Sequence, residues 1–408
     1  MPARIATSPE GLSRRNFLAG AIVLPLALQD IAAAMSVAPA ARWVYFGTGT
    51  AAGIYRSAWN AATGTLSEPT LAAASDHPTY LALHPTLPLL YAANEAGPNS
   101  AASSFHVDKA TGELTSATVA PTHRDGPCYL SVAPSGDAVL TANYSSGSLS
   151  FFAAQPNGSL FPISTASLAD AIAHGPVADR QDASHLHCAT FFPGGRTIAV
   201  CDLGTDTIFT LPFRPAPPID RSGYVLHMRL PTLGHATAVR ARSGSGPRHV
   251  AFHPNGRWMY CIHELDCTLD LFDVDAQDGL RFREGSVVST LSAGASLSST
   301  KASLQGNTAC ELQFNANGSL LYTCTRGVNE IAVYRVHPQT GLLTEVQRLA
   351  CGGQTPRYIT LDPSRRWLLC CNQASSNVTV FGLDAGSGLL HPTPRSLAVN
   401  TPMFALFV

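Results

Sequence analysis

The 408-residue chain carries 26 Lys+Arg against 27 Asp+Glu, a formal net charge of -1, which excludes a basic nucleic-acid-binding face as the starting expectation. Only 13% of residues are charged, about half the globular average, while 45% are hydrophobic and glycine and proline supply 33 and 29 residues. This is the composition of a folded, turn-rich protein: disorder needs more charge, and beyond the N-terminus no apolar run approaches the roughly 20 residues of a membrane helix.

Residues 1–40 read as an address rather than as part of the fold. Ser13, Arg14, Arg15, Asn16, Phe17 and Leu18 precede an apolar stretch ending at Leu28, followed by Ala32, Ala33, Ala34 and then Ala38, Pro39, Ala40. Paired arginines, a short apolar region and an A-x-A cleavage site resemble a twin-arginine export signal. A retained anchor helix is the alternative, but the run is short and Pro25 interrupts it. The reading implies the twin-arginine export machinery as a partner, a periplasmic or secreted mature protein starting near Met35 or Ala41, and no stable membrane anchor.

From residue 41 to 408 the chain repeats itself. Each unit has a short apolar strand, a turn typically written Pro-x-Gly, a second strand, and a third ending near Gly-Leu or Gly-x-Leu. Clear copies run from Pro127 to Leu160, Pro247 to Leu280 and Pro356 to Leu390. The turn anchors are Pro85, Pro134, Pro193, Pro254, Ala316 and Pro363, spaced by 49, 59, 61, 62 and 47 residues. A seventh unit is split between the ends: Pro402 to Val408 matches an opening strand, and Trp43 to Leu66 matches the strands that follow it. Joining them closes a ring and leaves no open sheet edge. Seven units of about 52 residues predict an all-β, seven-bladed β-propeller, with a β-sandwich pair or β-solenoid as alternatives. Ala166 to Ala183 and Leu291 to Ser303 read as insertions.

Seven of the ten cysteines (Cys188, Cys201, Cys261, Cys310, Cys324, Cys370 and Cys371) lie in or beside apolar strand-like runs, the pattern of buried core thiols rather than of disulfides. No C-x-x-C pair suggests zinc.

The repeat also locates a site. Six residues before each anchor stand Thr79, Cys128, His187, Arg248, Cys310 and Arg357. Nine and ten after it stand pairs such as Asn94-Glu95, Asn143-Tyr144, Asp202-Leu203, His263-Glu264 and Thr325-Arg326. A hairpin centred two residues past the anchor sets Arg248 directly opposite Glu264. First strands of propeller blades line the channel, so His187, Arg248, Arg357, Glu264, Arg326 and Glu95 are predicted to converge at one mouth of it. Polar strand ends that merely hydrate a channel are the plainer reading for any one residue. As a set, three arginines, two glutamates and a histidine leave positive charge that calls for an anionic ligand.

The motifs YFGTGT from Tyr45, NEAG from Asn94, ANYSSGSLSFF from Ala142, RQDASHLH from Arg180, SGSGPRHVAFHPNGRWMY from Ser243, HEL from His263, CTRG from Cys324 and QTPRYITLDPS from Gln354 resemble the β-propeller lactonase family. That family includes propeller-type 6-phosphogluconolactonases and 3-carboxy-cis,cis-muconate cyclases. The resemblance implies a cofactor- and metal-independent enzyme acting on lactones. Its cyclase members use a histidine, two arginines and a glutamate, which fall by motif on His187, Arg248, Arg326 and Glu264. Departures occur at Ser184-His185-Leu186-His187, which leaves His185 in contention, at Cys324-Thr325, and at Tyr129, where a histidine is frequent.

Lactone opening needs an activated water, an acid for the leaving alkoxide and positive charge at the carbonyl oxygen. Glu264 or His187 serves as base in this scheme, and Arg248 and Arg326 hold an anionic group or the oxyanion. Arg357, Glu311, His185, Glu95 and Asn143 complete a binding set; Glu264 as a structural partner of Arg248 is the alternative. No G-x-S-x-G or H-E-x-x-H motif offers a competing chemistry. Calcium on Asp202 and Glu264 is opposed by the surrounding arginines. The expected substrate is a small anionic or sugar lactone. A lactonising cycloisomerase and a non-enzymatic binding propeller are the other two classes.

Overall fold

The computed structural model describes residues 42–217, 230–293 and 306–408. The export-signal reading and most of the Leu291 to Ser303 insertion therefore fall outside the described residues. Seven antiparallel sheets of four or five strands follow one another as blades. Blades 2 to 7 open on the inner strands Pro78–Leu83, Pro127–Val132, Leu186–Phe191, Pro247–Phe252, Thr308–Phe314 and Pro356–Leu361. Among the described residues the sole helical element is a 3-10 turn, Gly97–Asn99.

The ring closes as the split repeat predicts. Pro402–Phe407 is the inner strand of blade 1 and pairs antiparallel with Trp43–Thr48, Val44 facing Phe407 and Gly47 facing Phe404. Blade 7 also grips blade 1 from outside: Trp367 donates its indole N–H to the Ala61 carbonyl at 2.9 Å and lies flat against Gly64. A Cβ there would sit 2.6 Å from the ring, and the φ of +66° is left-handed, so glycine is required twice over.

Second strands such as Leu89–Asn94, Ala138–Asn143 and Trp258–His263 are buried along their whole length, because each lies between the faces of two neighbouring blades. Outer strands alternate, as Leu160–Ser167 does, with one face wet. That architecture explains a chain so poor in charge. All ten cysteines are free and buried in these layers.

One feature of the register differs from expectation. Arg248 does not face Glu264: Pro247 pairs with His263, His249 with Ile262, and Arg248 is the extra residue of a β-bulge. The Glu264 amide N–H instead donates to the Gly246 carbonyl at 2.8 Å. The same shift occurs in every blade, leaving Thr79, Cys128, His187, Arg248, Cys310, Arg357 and Met403 unpaired at equivalent positions. A bulge re-aims the side chain it releases. Three of the side chains so released, those of Cys128, His187 and Arg357, meet at one end of the channel.

Candidate active site

At that end lies a cavity of about 310 Å³ whose wall includes His187, Glu264, Arg326, Arg357 and Glu95. Glu264 is its centre. Arg326 Nη2 and Arg248 Nε approach Oε2 at 2.8 and 2.9 Å, and Arg180 Nη2 reaches Oε1 at 2.5 Å. His187 Nε2 stands 3.7 Å from Oε2. Arg248 is 2% exposed and sits behind the wall, its Nη1 directed to the Cys310 carbonyl and to His249.

Burial alone would raise the Glu264 carboxyl, but the guanidinium groups of Arg326, Arg180 and Arg248 outweigh it and hold the group well below the usual carboxylate range. Burial, then Arg248 and His249, push His187 well below the usual imidazole value, so it is neutral at pH 7. Cys128 Sγ lies 3.8 Å from His187 Nδ1; burial drives that thiol far up, so it is no thiolate nucleophile.

Arg357 is different from the other arginines of the site: its carbonyl accepts from Cys310, but its guanidinium has no hydrogen bond or ion pair among the described residues, although it faces the cavity near Glu95. Arg180, Arg248, Arg326 and Arg357 against Glu95 and Glu264 leave two positive charges in excess while His187 is neutral. Glu311, one layer below, offsets part of it.

Besides Arg248, three further expected site residues are not in the cavity wall. Asn143 is fully buried within blade 3, accepting from Thr141 and donating to Ser148 and Ser150 at 2.9–3.0 Å. Successive strand residues point to opposite faces, so where Tyr144 faces the cavity Asn143 must face the blade. His185 stacks on Tyr144 at 4.5 Å and bonds the Tyr144 carbonyl and Asp182, which leaves His187 as the cavity histidine. Glu311 bonds His249 Nδ1 at 3.0 Å below the site, where the bulge shifts the phase of the inner strand. Asp202 is likewise spent on Ser184, His185 and Gly204, away from Glu264.

Tyr144, Arg180 and Thr308 are wall residues outside the expected set. Tyr144 occupies the same repeat position as Glu264, but its polar atom is only the hydroxyl, 3.2 Å from Arg180 Nη2. Arg180 comes from the connection between blades 3 and 4, which follows no repeat register; the RQDASHLH motif was its one signal.

Beneath the cavity the next inner-strand residues close the channel with rings. Tyr80 packs on Tyr129 and Phe404 at 4.3 and 4.2 Å, Tyr358 on Phe404 at 3.9 Å, and Tyr129 meets His249 at 5.1 Å. The packed rings keep this layer largely buried, so charges above it interact more strongly than in water. The site therefore combines a neutral imidazole, an ionised carboxylate fixed beside it, and guanidinium groups in one concave place.

The profile of the family described as "Lactonase, 7-bladed beta-propeller" matches residues 43–407. The 6-phosphogluconolactonase of Bacillus subtilis is 31% identical over 368 residues, covering 89% of this chain and 97% of its own. That of Formosa agariphila is 26% identical over 326 residues, covering 79% and 86%. The periplasmic gluconolactonase of Pseudomonas aeruginosa superposes with a TM-score of 0.77 at 26% identity, covering 90% of this chain and 98% of that one. Bulged inner strands, a C-terminal strand closing the ring and a match along nearly the whole propeller lead to one assignment: the chain belongs to the seven-bladed β-propeller lactonase family.

Proposed function

We propose that the protein hydrolyses sugar lactones in the axial cavity, with His187 as the general base. The observation that carries this reading is the saturation of Glu264 by three arginines beside an uncommitted, neutral imidazole. Three guanidinium groups occupy the Glu264 oxygens, whereas His187 Nε2, lowered in basicity though it is, has no hydrogen-bond partner of its own among the described residues and takes a proton from water attacking the lactone carbonyl. Glu264 then stabilises the imidazolium, Arg326 the developing oxyanion, and His187 returns the proton to the ring oxygen as the C–O bond breaks. Water and lactone are consumed and one hydroxy acid is formed. Arg357 and Glu95 bind the substrate's anionic or hydroxyl substituents.

The paired arginines at Arg14 and Arg15 support twin-arginine export, and an enzyme acting outside the cytoplasm meets unphosphorylated aldonolactones. Among the described residues no helix is long and apolar enough to cross a membrane. The test is acid release from glucono-δ-lactone, with and without a 6-phosphate, catalysed by the mature protein. The excess of guanidinium groups also suits a polycarboxylate, the substrate of a muconate cycloisomerase. Loss of ultraviolet absorbance from 3-carboxymuconate, with no acid released from any lactone, replaces the hydrolase reading with that one. Inactivity on all of them leaves a binding propeller.

A further inference from the structure

Gln181 and Asp206 lie outside the cavity wall, yet they hold the segment that carries Arg180. The connection 168–185 between blades 3 and 4 has no strand or helix of its own, so its shape depends on side-chain anchors. Gln181 is such an anchor, 1% exposed. Its Oε1 accepts from the Val177 amide at 3.0 Å, and its Nε2 donates to the Leu203 carbonyl and to Asp206 Oδ1, each at 2.8 Å. The Arg180 and Gln181 amides both donate to the Val177 carbonyl, closing the turn that projects Arg180.

Asp206 extends the lock to a second arginine. Its Oδ1 also accepts from the Gly246 amide at 2.9 Å and its Oδ2 from the Gly244 amide at 2.6 Å. Gly246 stands two residues before Arg248, at the entry to the bulge. One carboxylate, 4% exposed, therefore joins the connection bearing Arg180 to the backbone that presents Arg248. Those two arginines grip opposite oxygens of Glu264.

We infer that Gln181 and Asp206 are positioning residues for the reaction, setting through Arg180 and Arg248 where the Glu264 carboxylate stands against His187. The inference rests on the lactonase reading of the site. Its physical basis is that an approximately 1 Å misplacement of a reacting group costs up to about a hundredfold in rate.

A kinetic cycle on glucono-δ-lactone tests it. Gln181→Ala is expected to lower kcat about tenfold with KM changed less than about threefold, the pattern of lost orientation rather than lost binding. Arg180→Ala is expected to lower it at least as much. Because Gln181 acts through Arg180, the double variant should be no slower than Arg180→Ala alone. Wild-type kcat in Gln181→Ala, or losses that multiply in the double variant, overturns the inference. If Gln181→Ala does not fold, Asp206→Asn takes its place, and a double variant losing less than the product of its singles supports the inference.

A crystal structure of Gln181→Ala decides the same point without a substrate. Arg180 drawn beyond hydrogen-bond reach of Glu264 supports it, and Arg180 still seated on Oε1 overturns it. A wild-type protein that opens no lactone sinks the reaction assignment, and the crystal readout then decides the positioning alone.

Discussion

Glu264 owes its ionisation to three guanidinium groups rather than to water, and this sets what substitutions there do. Glu264→Gln keeps the shape but leaves buried arginines facing a carboxamide. Breaking a buried ion pair from one side typically costs about 3–5 kcal/mol, so urea unfolding should show a loss of that order together with collapse of lactone turnover. The buried groups also fix the response to pH. Burial, then the Arg248 charge, hold His249 at about 4 against the opposing Glu311. Below pH 6.5 the unfolded chain takes up protons that folded His249 and His187 refuse, so stability must fall as pH drops from 6.5 toward 4. The slope is up to about 1.4 kcal/mol per pH unit for each such histidine. Glu264, depressed when folded, adds a further loss below pH 4.5, in the same direction. Chemical denaturation across pH 4–7 checks this, and His249→Phe should flatten the upper part of the curve.

At the level of strands and turns, repeat position separates site from scaffold. Glu95, Tyr144, Glu264 and Arg326, ten past their anchors, face the cavity, while residues nine past, such as Asn94, Asn143, Asp202 and Asn372, tie loops and third strands together inside the blade. Asn143→Ala is thus expected to lower stability by about 1–3 kcal/mol and leave kcat and KM unchanged; a selective rise in KM would restore it to the binding set. Much of the site was legible because a propeller brings equal repeat positions to one place: His187, Arg248, Glu264, Arg326, Arg357 and Glu95 all followed from counting residues from a turn. The count failed where geometry departs from it. The bulge makes two residues oppose one, so Arg248 slips past Glu264 and Glu311 drops to the layer beneath. Arg180 arrives on a connection with no counterpart in other blades, and nothing periodic marks it.

Across the whole molecule, closure is what makes the cavity. Pro402–Phe407 covers the edge of Trp43–Thr48 and brings Phe404 into the axial floor. A chain ending at Thr401 would expose that edge and open the floor. It is expected to lose near-ultraviolet circular dichroism and cooperative unfolding, and a wild-type melting curve from it would show that the ring does not need its last strand. Closure also explains why charges from blades 2, 5, 6 and 7 act as one group. The most direct measurement of that group's chemistry is the rate of acid release from glucono-δ-lactone by the wild-type protein and by His187→Ala, compared side by side with circular dichroism confirming both folds. Removal of a general base costs about 10²–10⁴-fold, so the wild-type protein should far exceed spontaneous opening while the variant falls by at least about a hundredfold. Equal turnover by the two folded proteins would contradict the assignment of the reaction to this cavity.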